Sequence, residues 1–554
     1  MKSKVYIMGI LFALACVGCK KNLLDTTPPY GFSSAEIFES DESATMAVNG
    51  IYESAAQDAF NARYGFLQNI TNAGPDGYSY GRPGPTSLSM GLATNRSSFF
   101  ESIYEGLYKP IVYANAVIAG LKDNKNVTSE LGSRLIGEAE FFRGLCYFYL
   151  WNLYGDVVLI DKPMPTSETF LPRTPVEEVQ DSVIEDFTDA ISRLPVSYSS
   201  TDLGRVTKGA AIAMLGKTYL YLQQWKEAED QFALLLNTPY NYDLVSNFGD
   251  NFYWQTQNNK ESVFELQYSM EPGMGSPFDD MYGNRSLSKG GEDFCEASTT
   301  ALKVFTHQDG TPFNLTTIPR ESDYSGSNAD VNYGIDLMNW YDTTFQDADV
   351  RLRQSMILPA DSFLGKTNIY YKVYWPYKNY LHATPPPLRT TWNTIGVIPI
   401  RKFLMLGDEN ILTDIDCATN YPMIRFADVL LMYAEATNEA EGPTQGVYDA
   451  VNRVRNRAKV VDLPTGLSQE DMRRDIRLER YKELMFEGVL YFDVKRWHLA
   501  STTDSIFGLN KDVIDFRFDT LYQKAFREDR DYLWPIPGQE IDLNPKMTQN
   551  PNWE

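Results

Sequence analysis

The sequence predicts a mainly α fold: a scaffold of tetratricopeptide-like helical hairpins with a long irregular insertion containing short strands. Three observations carry that expectation. Gly209–Leu236 holds Leu215-Gly216-x-x-Tyr219 in its first half and Ala228-x-x-x-Phe232 in its second, with Gln223-Gln224 between them and Pro239 beyond. That is the spacing of a helix–turn–helix repeat of about 34 residues. Stripes of apolar residues at 3–4 spacing recur on both sides of this stretch, as faces that one hairpin alone cannot bury. From about residue 240 to 420 the stripes stop, and Gly, Pro, Asn and scattered aromatics replace them. Irregular stretches of that length inside a compact protein are usually functional.

The repeat has a simple physical logic. Gly216 has no side chain and Ala228 a very small one, so two antiparallel helices can approach closely while Leu215, Tyr219 and Phe232 fill the seam. Partner hairpins are expected elsewhere in the chain.

In chain order, Lys2 and Lys4 precede the apolar run Val5–Val17, followed by Gly18-Cys19. The run is too short to span a bilayer and has the layout of a signal peptide. Cys19 behind a small residue marks a lipid-attachment site; Cys16 competes, but Gly18 before the bond and Lys20-Lys21 after the run favour Cys19. The expected layout is therefore a signal peptide over 1–18, a lipid-anchored tether over 19–32 and one domain over 33–554. That domain divides into helical scaffold over about 33–239 and 421–500, insertion over about 240–420 and an extended C-terminal wrap over about 501–554.

Within the scaffold, Ala44, Ala47, Val48, Ile51, Tyr52 and Ala55 predict a helix, with Ser40, Asp41 and Glu42 at its start. Residues 70–98 read as a long ordered loop. Helices follow from Phe100 to Ile118, with a kink at Pro110, and over 129–154, ending at Gly155-Asp156. Val157–Ile160 is a short strand-like run. Thr174-Pro175-Val176-Glu177 predicts a capping box ahead of the Val179–Leu194 stripe. Beyond the hairpin, Ser262–Gln267, Ile369–Val373 and Gly396–Phe403 are strand candidates. Helices resume at 425–439 and 448–458, and Ser468-x-x-Asp471 caps another running to about Gly488. Its Arg473, Arg474, Arg477, Arg480, Glu479, Glu483 and Glu487 predict exposed i,i+4 pairs. The prolines of Trp534-Pro535-Ile536-Pro537 predict an extended tail on the surface.

Composition narrows the function. Seventy-three acidic against 50 basic residues leave a formal charge of −23, which disfavours nucleic acid and anionic lipid surfaces. Three isolated histidines and the spacing of Cys146, Cys295 and Cys417 match no metal or redox motif. No nucleophile elbow, phosphate loop or dinucleotide-binding glycine pattern occurs. No catalytic residue, metal or cofactor is expected.

Aromatics supply the positive signal. With 35 Tyr, 30 Phe and 9 Trp, the chain has more than a core needs. Sugar rings offer apolar C–H faces that stack on aromatic planes, while amides, carboxylates and guanidinium groups bond the hydroxyls. The candidate ligand-binding residues are Asp76, Tyr78, Tyr80 and Arg82 in the first loop, and Tyr282, Asn284, Arg285, Trp340 and Tyr341 in the insertion. Further clusters stand at Tyr253-Trp254, Tyr370-Tyr371, Trp375 and Trp392. The same rings would equally serve as small cores beneath the loops.

Ordered landmarks then run along nearly the whole chain. They are Cys19 with Leu24-Asp25 and Pro28; Ala47-Val48-Asn49-Gly50-Ile51-Tyr52; Glu138-Ala139-Glu140-Phe141-Phe142-Arg143, running on to Tyr154-Gly155-Asp156-Val157; and Arg401-Lys402-Phe403. Next come Tyr421-Pro422-x-x-Arg425-x-Ala427-Asp428-Val429-Leu430-Leu431, Ile476-Arg477-x-Glu479-Arg480, Glu483-Leu484-x-x-Glu487-Gly488 and Asp493-x-x-Arg496-Trp497. Trp534-Pro535-Ile536-Pro537 and the Gln549–Trp553 ending complete the set. In these the chain resembles the SusD/RagB outer-membrane lipoproteins. The resemblance implies a surface protein that binds a glycan or another nutrient oligomer and hands it to a SusC-like TonB-dependent transporter. It carries over no ligand residues, because the family's vary with substrate. Arg143, Arg425 and Glu487 are expected to be buried scaffold groups with partners. The alternative expectation is a protein–protein scaffold, or a peptide-binding lipoprotein, of the same transporter complex.

Overall fold

Gly216 sets the closest helix approach in the opening hairpin. The computed structural model describes residues 37–60, 65–79, 83–283, 291–292, 294–365, 369–372, 398–407 and 416–553. Cys19 and the tether, together with Tyr80, Arg82, Asn284, Arg285, Trp375 and Trp392, lie outside the described residues. The hairpin pairs helices Lys208–Tyr221 and Trp225–Leu235, with Gln223 turning the chain at φ 58°. A Cβ on Gly216 would stand 2.8 Å from the Phe232 ring, which is fully buried. Gly216→Leu is therefore expected to lower stability by about 1–3 kcal/mol through overpacking. Phe232→Leu in the same chain should restore part of it; equal urea midpoints for Gly216→Leu and wild type would show that the approach is not limiting.

The partner hairpins exist. Helices Ser98–Leu121, Ser129–Tyr154, Val176–Arg193 and Lys208–Tyr221 pack each on the next, and Trp225–Leu235 packs on Phe426–Glu441. That helix packs in turn on Gln445–Arg457 and Gln469–Leu484. The stack thus passes directly from residue 235 to residue 426, and the insertion leaves and re-enters at one point. Its neck is closed by strand Ser262–Leu266, antiparallel to Tyr421–Arg425. No helix among the described residues is long and apolar enough to cross a membrane.

Helix starts largely follow the sequence. Ser40 Oγ accepts from Ser43 N at 3.2 Å, and Ser468 Oγ from Asp471 N at 3.1 Å. The helix Ser98–Leu121 runs through Pro110. The capping box at Thr174 does not form: a bridge between Val157 and Thr174 holds the threonine, whose Oγ1 accepts from Leu159 N instead. The Asp156 carboxylate caps Val176 N at 2.9 Å.

Four further expectations are corrected. Residues 70–98 are not a continuous loop: helices Phe66–Ala73 and Pro83–Ser89 flank the short strand Gly77–Tyr78. The insertion contains the 16-residue helix Ala329–Thr344, whose buried Tyr333, Leu337, Trp340 and Tyr341 share a face; interspersed Asn and Asp obscure that stripe in the sequence. The tail is not a surface wrap, because Trp534, Ile536 and Trp553 plug the core and a hairpin forms between Asp512–Ile514 and Thr520–Gln523. Its prolines keep the chain extended while their neighbours are drawn inward by burial.

The fourth correction concerns the charged helix Gln469–Leu484. Glu479, Arg480 and Glu483 are buried, and so is Glu487 just beyond. Arg425 on the neck strand reaches Glu261 at 2.8 Å, Glu483 at 2.6 Å and Glu487 at 2.8 Å. Lys402 of the insertion adds Glu487 at 2.7 Å, and Arg351 adds Glu483 at 2.9 Å. Burial works to raise the Glu483 carboxyl, but the guanidinium groups of Arg457, Arg425 and Arg351 overcome it and hold it well below the usual carboxylate range. The network fastens insertion to scaffold. Arg143 likewise meets Asp186 at 2.6 Å.

Candidate functional site

Two stretches that sequence reading singled out, far apart in the chain, meet at one residue. Phe486 sits at φ 64°, just past the end of the charged helix, so its N–H and C=O are not absorbed by that helix. The Phe486 N–H donates to Asp76 Oδ2 at 2.6 Å, and its carbonyl accepts from the Tyr282 hydroxyl at 3.0 Å. The stem leading to Tyr80 and Arg82 and the stem leading to Asn284 and Arg285 are thus held by the same residue.

Further bonds widen this floor. Strand Gly77–Tyr78 pairs with Glu296–Ala297, and Ser298 N donates to the Asp76 carbonyl at 2.8 Å. Thr299 Oγ1 donates to the Ile514 carbonyl at 2.9 Å, and Tyr341 OH to that of Phe516 at 2.6 Å. Both acceptors lie at the C-terminal hairpin, which therefore ties the first loop region to the Ala329–Thr344 helix. From the same hairpin Lys524 reaches under the first loop, its Nζ donating to the carbonyls of Asn72, Gly74 and Gly77 at 2.9, 2.5 and 2.7 Å.

The described candidates form this floor rather than a platform. Tyr78 is 1% exposed and Tyr282 and Tyr341 are 0%, so none turns a ring plane to solvent. Trp340 is buried and its Nε1 donates to Thr317 Oγ1 at 3.0 Å. Asp76 is buried too. The physical reason is that an aromatic beneath a loop buries more apolar area by packing than by facing water. Tyr370 is different: it is 60% exposed on strand Tyr370–Lys372, while the neighbouring Tyr371 stacks on Phe363 with centroids 6.1 Å apart.

Electrostatics agree with a structural floor. Burial raises the phenols of Tyr78, Tyr282 and Tyr341 well above their ordinary value, so they stay neutral donors. Burial also raises Asp76, against the Phe486 N–H and Lys524. Burial lowers Lys524 to about 7, against Asp76 and Cys295. Because the folded value lies below that of the free chain, the unfolded state holds more protons between about pH 7 and the ordinary lysine range, and stability rises with pH there. Burial lowers Lys402, Lys495 and Lys511 into the same range, so Lys524→Met should reduce that slope without abolishing it, read from urea midpoints at pH 7, 8 and 9; an unchanged slope would count against Lys524 as a contributor. Among the described residues, no group of three His, Cys, Asp or Glu is placed to hold a metal ion.

Sequence reading missed Lys524 and Phe486. Neither carries a local signal, since Lys524 lies in a tail without periodicity and Phe486 acts through its backbone.

Comparison with known proteins follows the same lines. Residues 256–553 match the model of the SusD family, and residues 89–220 match a family described as starch-binding and associating with the outer membrane. The chain is 26% identical to SusD-like protein P2 of Formosa agariphila over 99% of each chain. It is 25% identical to a SusD-like protein of Bacteroides ovatus, covering 99% of this chain and 93% of that one. Among solved structures, a SusD-like carbohydrate-binding protein of Bacteroides fragilis superposes with a TM-score of 0.76 at 25% identity, covering 92% of this chain and 100% of the other.

Proposed function

Because the chain belongs to the SusD family, we propose that it is a non-catalytic, outer-membrane lipoprotein, anchored through Cys19, that captures a glycan at the cell surface. It delivers that glycan to a SusC-like TonB-dependent transporter. The observation that supports this most is the shared anchor at Phe486, which ties Asp76 and Tyr282, the described ends of the two candidate loops, to one residue. Tyr80, Arg82, Asn284 and Arg285, which follow these two residues in the sequence, are the proposed ligand face. Asp76, Tyr78, Tyr282, Trp340 and Tyr341 act as the floor that keeps them in place, since a preordered site loses less entropy on binding. The acidic charge of −23 suits a neutral rather than an anionic glycan.

Calorimetry of residues 20–554 against plant, host and microbial glycans tests this. Saturable binding of at least one glycan is expected, with loss in Arg82→Ala plus Asn284→Ala and unchanged unfolding. No binding across the panel would sink glycan capture. The burial of Tyr78, Tyr282 and Tyr341 favours one second reading, in which the face serves only a protein partner. Co-purification with the transporter without glycan binding would support it.

A further inference from the structure

One cleft has none of the proposed ligand or floor residues in its lining. It has a volume of about 570 Å³ and lies where the end of helix Ser129–Tyr154, the start of helix Val176–Arg193 and the C-terminal residues 548–551 converge. Ligand pockets run from about 300 to 1,000 Å³, so the space suits one or two sugar units. No residue of the insertion lines it.

Its chemistry is that of an amphipathic, uncharged ligand. Trp151 and Leu533 supply apolar wall. Asn152 donates its amide to the Phe148 carbonyl at 2.7 Å, leaving Oδ1 as a spare acceptor. Asp156 caps Val176 N through Oδ1, leaving Oδ2 spare. The Gln180 amide and the Thr548 hydroxyl have no partner among the described residues, so both can donate and accept. Spare acceptors beside dual-purpose groups match hydroxyls, and the indole matches a C–H face.

The walls are already ordered. Arg173 donates to the carbonyls of Asp156, Thr548 and Tyr154 at 2.7, 3.1 and 3.2 Å, and to Asn550 Oδ1 at 2.6 Å. These bonds join the helix end to the tail and use four of the guanidinium's five N–H groups, which leaves one donor for an anion. With Asp156 balancing Arg173, the cleft favours a neutral ligand.

We propose that this cleft is a second carbohydrate subsite, seating a neutral hexose unit against Trp151 between Asn152, Asp156, Gln180 and Thr548. It rests on the proposed function only for the ligand class. Two separated subsites would grip one long chain, or two, with higher avidity than either alone.

Hydrogen–deuterium exchange of residues 20–554 tests this, using maltohexaose, laminarihexaose, mannohexaose and a β-galactohexaose as probes and hexagalacturonate as the charged control. The expected result is protection of peptides covering 148–156, 174–182 and 546–553 by at least one neutral probe and none by the control. Gln180→Ala, a partly exposed helix position, should weaken that protection about 2- to 10-fold in probe concentration with unchanged unfolding. Protection confined to peptides 76–86 and 280–290 overturns the subsite and leaves the proposed function standing. Protection at the cleft alone upholds the subsite and counts against the proposed ligand face. Protection nowhere defeats both, and protection by hexagalacturonate overturns the neutral-ligand assignment.

Discussion

Arg425→Met is expected to cost about 3–5 kcal/mol, the loss typical when one partner of a buried ionic network is removed. Arg425 is 1% exposed and makes five side-chain bonds to Glu261, Glu483 and Glu487. Without it, three buried carboxylates must share Arg457, Arg351 and Lys402. The nearby pair Arg473–Glu439 is the control. Its members are 30% and 14% exposed, and partly exposed pairs are worth less than about 1 kcal/mol. Urea unfolding of Arg425→Met and Arg473→Met measures the difference. Equal midpoints would mean that the neck network adds nothing beyond an ordinary surface pair. The functional consequence lies in the same place: Arg425 sits on the neck strand, so its loss should loosen the insertion from the scaffold before the helical stack melts.

Trp534→Ala is expected to cost about 3–5 kcal/mol as a large core cavity. The indole is 1% exposed, packs edge-on against Phe100 with centroids 5.1 Å apart, and donates to the Tyr491 hydroxyl at 2.8 Å. Asn550 closes the tail over it, donating to the Trp534 and Tyr154 carbonyls at 2.6 and 2.8 Å. Limited proteolysis should therefore cut Trp534→Ala within residues 501–553 much faster than wild type, whereas Trp534→Phe, which keeps the aromatic plug but loses the bond to Tyr491, should fall between the two. Wild-type resistance in the alanine variant would show that the tail is held by its other contacts. Because residues 548–551 also wall the second cleft, the same variant should lose any protection seen there.

The helical scaffold was legible because its signals are local. Leu215, Gly216, Ala228 and Phe232 specify a close hairpin by size and spacing alone, and the helix 129–154 ends at Gly155, at φ 71°, as its glycine announces. The helix Ala329–Thr344 was not legible, since every turn carries Asn, Asp or Thr and only packing shows which face is buried. Charges misled in the same way. Glu479, Arg480 and Glu483 have the spacing of solvent-facing pairs, yet their partners Arg351, Asp428 and Arg425 come from 52 to 132 positions away.

The candidate site divides along the same line. Composition and pattern single out Asp76, Tyr78 and Tyr282 as unusual, and they do belong together. Their role could not be read from the sequence. A tyrosine that stacks on a sugar and one that fills the space under a loop have the same local spelling, and only the surrounding chain decides between them. Here the decision is made by Phe486, whose backbone joins the two stems, and by Lys524, which enters from 447 to 452 positions along the chain to bond three carbonyls.

By itself, then, the sequence determined the helical hairpins, the glycine at their closest contact and the family landmarks, because these depend on residue size and on spacing within a few turns. The tertiary structure alone decided which charges are buried, which tyrosines are floor, and that the C-terminal tail both braces that floor and walls a cleft. Those outcomes depend on burial and on partners distant in the chain, and neither is written in any local pattern.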